Sequence, residues 1–185
     1  MRVISGIARG TKISSIESLA TRPTLDRVKE SLFNILQNDI KNKVVLDLFA
    51  GSGALGIEAL SRGAQKAYFC DNSKEAIKVL KQNLEKTKLI KSAIIINKDY
   101  KLALKEIKEK IDIIFLDPPY KLDFAVKSIK ELLELNLISA ESLIIVETDE
   151  IERDTKEINE IEELEIIDKR KYGRANLIFI KKRGN

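Results

Sequence analysis

Histidine is missing altogether from this chain of 185 residues. That removes the commonest general base and the commonest metal ligand, and with them a zinc site or a Ser-His-Asp triad. Cysteine occurs once, at Cys70, so an internal disulfide is excluded and a reducing compartment is indicated. A small buried apolar role is the simplest reading of that thiol. Long apolar runs are missing too. The longest are four residues, against roughly 18 for a membrane span. The opening MRVISGIARG puts Arg, Ser and Gly where a signal peptide needs an apolar stretch. A cytoplasmic protein is expected. Internal repeats and low-complexity linkers are also absent, so one domain is expected over residues 1–185, with 1–40 as an N-terminal extension and 41–185 as the core.

What is present is 44% apolar and 34% charged residues, enough for a real core. The net charge of +4 is unevenly spread. Residues 1–43 carry eight basic and four acidic side chains; residues 121–165 carry five and fourteen; residues 166–185 carry seven and one. Basic ends around an acidic stretch suit a protein with one face for a polyanion.

The pattern alternates strand and helix. Residues 2–7 and 11–16 read as a short hairpin. Thr24 is placed to cap a helix in which Val28, Leu32, Phe33, Ile35 and Leu36 recur at helical spacing. Five strands then follow, VVLDLFAG, KAYFCDN, SAIIINKD, IDIIFLDPPY and ESLIIVETD, with four helical stretches between them. Gly63 ends the first of those helices and Ser73 caps the second. Two more strands, about 164–171 and 175–181, have no helix between them and are expected to pair antiparallel at one edge. This is an α/β chain of right-handed βαβ units around a Rossmann-like, doubly wound, mostly parallel sheet.

In such sheets ligands sit at the carboxyl ends of the strands. Asp47, Asp71, Asp99 and Asp117 each fall near such an end. Residues 51–56, GSGALG, match G-x-G-x-x-G, which alone reads as a dinucleotide loop. Asp47 beside the glycines disfavours a pyrophosphate and suits a cationic ligand group. Gly51 and Gly53 let a ligand approach the backbone. Asp71, 20 residues beyond Gly51, can accept ribose hydroxyls, and Asp99 can accept the exocyclic amine of adenine. Those needs describe S-adenosylmethionine better than a nicotinamide cofactor. Phe49, Ser52, Asn72 and Tyr100 flank these positions and are assigned to the same cofactor site.

The stretch IDIIFLDPPYKLD adds the second half. A planar amine is a poor nucleophile because its lone pair is delocalised. Two acceptors and a stacking face would hold it in line with a methyl donor. Asp117 offers a carboxylate, the Pro118 carbonyl a second acceptor and Tyr120 a ring, with Pro119 completing the turn.

DPPY together with LDLFAGSGALGIEALSRGA resembles the DPPY-type amino-methyltransferases that use S-adenosylmethionine. MRVISGIARGTKI, TRPTLDRVKESLFNIL and the late KYG are similar to the bacterial 16S rRNA guanine-N2 methyltransferase family. The resemblance spans nearly the whole chain. It implies a seven-strand sheet with an antiparallel last strand, an N-terminal β-hairpin and helix, and methylation of one guanine of small-subunit rRNA. It further implies, as substrate, the small ribosomal subunit or its assembly intermediate, with no metal and a monomeric enzyme. Cys70-Asp71-Asn72 stands where a branched apolar residue and an acid are common, and Arg174 where an acid is frequent. Arg2, Arg9, Lys12, Arg22 and Arg27 are expected on RNA phosphates. Alternatives are a DNA adenine-N6 or cytosine-N4 methyltransferase, a glutamine methyltransferase and a non-catalytic RNA-binding assembly factor.

Overall fold

The structure, a computed structural model, describes residues 1–16, 23–119 and 123–184, with only the backbone described at 23–25. The expected Thr24 cap, Arg22 and Tyr120 therefore lie outside the described side chains. Strands β1 (Val44–Asp47), β2 (Lys66–Cys70), β3 (Ala93–Ile96), β4 (Ile113–Leu116) and β5 (Leu143–Thr148) are joined by β6 (Leu164–Tyr172) and β7 (Ala175–Lys182). They form one seven-strand sheet in the order β3-β2-β1-β4-β5-β7-β6. Strands β1 to β5 pair parallel, and β7 runs antiparallel between β5 and β6, as expected of the last strand.

Each strand feeds two cores, because successive side chains point to opposite faces. Val45, Phe69, Phe115 and Ile145 meet helices α1 (Pro23–Leu36), α2 (Ala54–Ser61) and α3 (Lys74–Lys86) on one face. Leu46, Ile114 and Val146 meet α4 (Tyr100–Glu106), α5 (Phe124–Glu134) and α6 (Ile151–Asn159) on the other. Burial on both sides explains the continuous apolar strands. Asp117, Pro118 and Pro119 end β4, since proline cannot continue the ladder. Ser73 caps α3 by accepting the Ala76 N–H at 3.2 Å.

Four local expectations need correction. The N-terminal hairpin closes with a single bridge, Arg2 to Lys12, rather than two strands. Its Ile4 and Ser5 N–H groups are taken by the Glu58 carboxylate at 2.8 and 3.0 Å, so they cannot join a ladder. Ile35 lies on the outer side of α1 and is 40% exposed. β3 stops at Ile96, so Asp99 is the N-cap of α4 rather than a strand end. Helix α6 was not expected, because only Asp154 and Ile158 of its nine residues are buried.

The hairpin is docked by buried polar groups. Glu58 is fully buried on α2, and it also receives Arg62 at 2.8 Å and stands 3.4 Å from Lys29. Ser61 receives the Ala8 N–H and donates to the Ser5 carbonyl. Burial pulls Lys29 below the ordinary lysine range, against the opposing pull of Glu58.

Candidate active site

The order of strands reverses between β1 and β4, and at such a point a crevice opens at the carboxyl ends. Asp47 ends β1 and pairs in register with Phe115, two residues before Asp117. The glycine loop begins here. Gly51 and Gly53 hold φ of 53° and 81°, the left-handed region that glycine enters at little cost. A Cβ on Gly53 would stand 2.2 Å from Leu80 Cδ1, whereas one on Gly51 would meet nothing nearer than Ile16 Cδ1 at 3.9 Å. The loop is therefore packed from below and open above Gly51. That open backbone, beside acceptors for hydroxyl and amine groups, fits the adenosine and cationic parts of S-adenosylmethionine.

Backbone groups take up most of the acids in this half. Asp47 is 3% exposed and accepts the Gly56 N–H at 3.0 Å. Asp71 accepts the Gly51 N–H at 2.9 Å and the Ser73 N–H at 2.8 Å, and stays half-buried at the end of β2. Asp99 is exposed and accepts the Lys101 N–H at 3.0 Å. Ser52 gives its carbonyl to the Asn83 amide at 2.9 Å. Asn72 is exposed at the rim. Phe49 and Tyr100 do come together, ring centroids 5.9 Å apart, and Phe124 closes the cluster at 6.2 and 5.5 Å. Phe124 escaped the sequence reading, its only signal being the first apolar residue of a helix.

The other half differs. Leu116 pairs with Val146, so the next residues, Asp117 and Glu147, lie side by side. By strand alternation Asp47, Asp117 and Glu147 all belong to the face that carries α1 to α3. Burial lifts the Asp47 carboxyl to about 7; the Gly56 N–H opposes this, while the charges of Asp117 and Asp71 add to it. Burial likewise raises Asp117 and Glu147 above the ordinary carboxylate range, and the charge of Asp117 raises Glu147 further. Glu147 was missed by sequence reasoning; its signal was a fifth acid near a strand end. Pro118 is half-buried and Pro119 exposed, while Tyr120 lies outside the described residues.

Arg2, Arg9, Lys12 and Arg27 are all exposed, and the hairpin bridge sets Arg2 beside Lys12. Among the described residues no three acidic, Cys or His side chains are grouped to hold a metal ion, and no helix is long and apolar enough to cross a membrane. Cys70 is buried, and burial pushes its thiol upward.

Comparison with known proteins agrees with this architecture. "Ribosomal RNA small subunit methyltransferase D" of Haemophilus influenzae is 42% identical over 152 residues, covering 80% of this chain and 79% of its own. A Bacillus subtilis protein provisionally named rRNA methyltransferase YlbH is 38% identical over 188 residues and matches the full length of both. Among solved structures, an Escherichia coli chain provisionally named methyltransferase yhhF superposes with a TM-score of 0.83 at 29% identity, covering 100% of this chain and 99% of that one. Residues 1–181 match the family described as conserved hypothetical protein 95, and the chain belongs to that family, whose relatives include the small-subunit rRNA methyltransferases D.

Proposed function

We propose that this chain is an S-adenosylmethionine-dependent methyltransferase acting on the exocyclic N2 amine of a guanine in small-subunit 16S rRNA. The observation that carries the reading is the pairing across the switch point. A glycine loop open above Gly51 follows Asp47, and Asp47 pairs in register with Phe115, two residues before Asp117. The relatives' names supply rRNA, and a cytoplasmic location follows from that substrate.

Asp71, Asp99 and the glycine backbone bind the cofactor, with Phe49 and Tyr100 beside it. Bound S-adenosylmethionine supplies an electrophilic methyl group. The target guanine leaves its stack, because an amine within a helix cannot reach a recessed donor. Asp117 and the Pro118 carbonyl accept its two amine protons and orient the nitrogen lone pair, and Tyr120 stacks on the base. Displacement then proceeds without a covalent enzyme intermediate. The raised carboxyls of Asp117 and Glu147 can hold the proton released after transfer, so histidine is not required. Arg2, Arg9, Lys12, Arg22 and Arg27 hold RNA phosphates.

Labelled S-adenosylmethionine incubated with unmodified small-subunit particles, followed by mapping of the labelled base, tests this. N2-methylguanosine at one site of 16S rRNA is expected; label on an adenine, on DNA or on protein overturns it.

A further inference from the structure

Asn83 is fully buried on α3, among the apolar residues Ile77, Leu80 and Leu84 of the same helix. Its carboxamide makes three bonds to backbone groups far away in sequence. It accepts the Ser14 N–H at 2.8 Å, donates to the Ser14 carbonyl at 2.9 Å and donates to the Ser52 carbonyl at 2.9 Å. Leu80, one turn earlier on the same face, fills the space under Gly53. Lys86, one turn later, donates to the Ser14 hydroxyl at 2.9 Å.

The glycine loop cannot define its own shape. Two of its three residues adopt positive φ and carry no side chain, so it has more conformational freedom than any ordinary turn. Its shape is imposed from outside: by Asp71 on the Gly51 N–H, by Ala50 on the Gly53 N–H and by Asn83 on the Ser52 carbonyl. Only the last of these leads away from the sheet. The N-terminal segment 1–16 is therefore fastened at three places, the first being the Arg2 carbonyl, which accepts from Lys29 of α1. Glu58 and Ser61 of α2 hold residues 4–8, and Asn83 holds Ser14 against the loop that precedes α2. Ile16 then passes within 3.9 Å of the Gly51 Cβ position.

We propose that Asn83 is a positioning residue that ties the N-terminal strap to the cofactor loop, so that RNA held by the strap is felt at the cofactor. The inference rests on the methyltransferase reading given above. The strap needs no contact with the cofactor to act. Holding Ser14 still holds Asn83 still, and a buried amide with three partners cannot turn without unpairing them. Cofactor and RNA affinities are then linked, each strengthening the other by the same factor.

The test compares wild type, Asn83→Leu and Ser14→Pro. The second removes the Ser14 N–H without touching a core side chain, so it stands in if the first fails to fold. Cofactor Kd is measured by calorimetry, alone and with unmodified small-subunit particles. Hydrogen exchange is read at the Gly51 and Gly53 amides. Each variant is expected to bind S-adenosylmethionine about tenfold more weakly, from the unsatisfied carbonyl and amide groups. The particle should tighten cofactor binding in wild type and leave it nearly unchanged in the variants. Loop amides should exchange faster in both. A lower Tm with unchanged Kd, unchanged particle effect and unchanged loop exchange would show a purely structural amide and overturn the inference. Wild type that binds no cofactor overturns the methyltransferase reading instead, while the exchange measurement still decides the role of Asn83.

Discussion

The two halves of the crevice are built on opposite plans. Around β1 and β2 the polar groups are tied to backbone: Asp47 to Gly56, Asp71 to Gly51 and Ser73, and the Ser52 carbonyl to Asn83. At the ends of β4 and β5 two carboxyls lie side by side with raised pKa values, and no hydrogen bond to either comes from the described residues. The first half is a mould fixed before any ligand arrives. In the function proposed above, the second keeps acceptors for donors on a ligand. A methyl donor needs the mould, because its methyl must be held still. An amine nucleophile needs the acceptors, because its protons must be drawn away from a delocalised lone pair.

The largest effect that separates the halves should come from Asp117→Ala. Removing one oriented acceptor is expected to slow methyl transfer by ~10²–10³-fold or more while leaving cofactor affinity nearly unchanged. Single-turnover rates beside calorimetric Kd values decide this. Equal losses in both would place Asp117 in the mould. Gly53→Ala should do the reverse. Its Cβ would sit 2.2 Å from Leu80 Cδ1 at a φ of 81°, and Leu80 is itself fully buried. A stability loss of about 1–3 kcal/mol and weaker cofactor binding are expected, with a smaller effect on the rate at saturating cofactor. Denaturant titration gives the first and a Kd against kcat comparison the second.

The raised carboxyls of the crevice, Asp47 in the first half and Asp117 and Glu147 in the second, should also mark the free protein's response to pH. A carboxyl whose folded pKa is raised leaves the folded state holding more protons than the unfolded chain. Its stabilising contribution is complete below about pH 4, the unfolded value, and is lost as pH rises through the folded value, about 7 for Asp47. The Tm of the cofactor-free protein is therefore expected to fall between those limits. Glu147→Gln should flatten the fall, since it removes both a half-buried acid and its repulsion with Asp117. An unchanged slope would show that Glu147 titrates as an ordinary surface acid.

The plan of the two halves was unequally visible in the sequence. The strand ends stood out because apolar runs closed on Asp47, Asp71 and Asp117, and the family was identified from the motifs around them. Gly51 and Gly53 were recognised from the G-x-G-x-x-G spacing, while their positive φ became visible only in the structure. Glu147 was hidden by composition: it is one of fourteen acids in residues 121–165, and alternation marks it only once its strand is paired with β4. Asn83 was hidden by distance, its partners lying 69 and 31 residues away. A lone amide within an amphipathic helix has no local signature. Helix α6 was hidden because its outer face is almost wholly charged, and a thin apolar stripe gives little periodic signal.

The smallest expected effect concerns the strap, which belongs to neither half and is joined to the first through Asn83. Arg2 and Lys12 stand beside each other on its bridge, and Arg9 lies at its turn, all exposed. If they meet phosphates, each charge removed should lower the slope of log affinity against log salt by roughly 0.7–0.9, with little change in the rate once the particle is bound. Arg2→Gln and Lys12→Gln, singly and together, measured from 50 to about 200 mM salt, give the count. The double variant should lose about twice what either loses alone, because the charges act as independent counterion-release sites. A flat response would leave the strap with support of the glycine loop as its whole task. Because the Arg2 carbonyl is also held by Lys29 at 2.8 Å, side-chain removal at Arg2 takes away charge and leaves that anchor in place, so the salt slope reads phosphate contact rather than undocking of the strap.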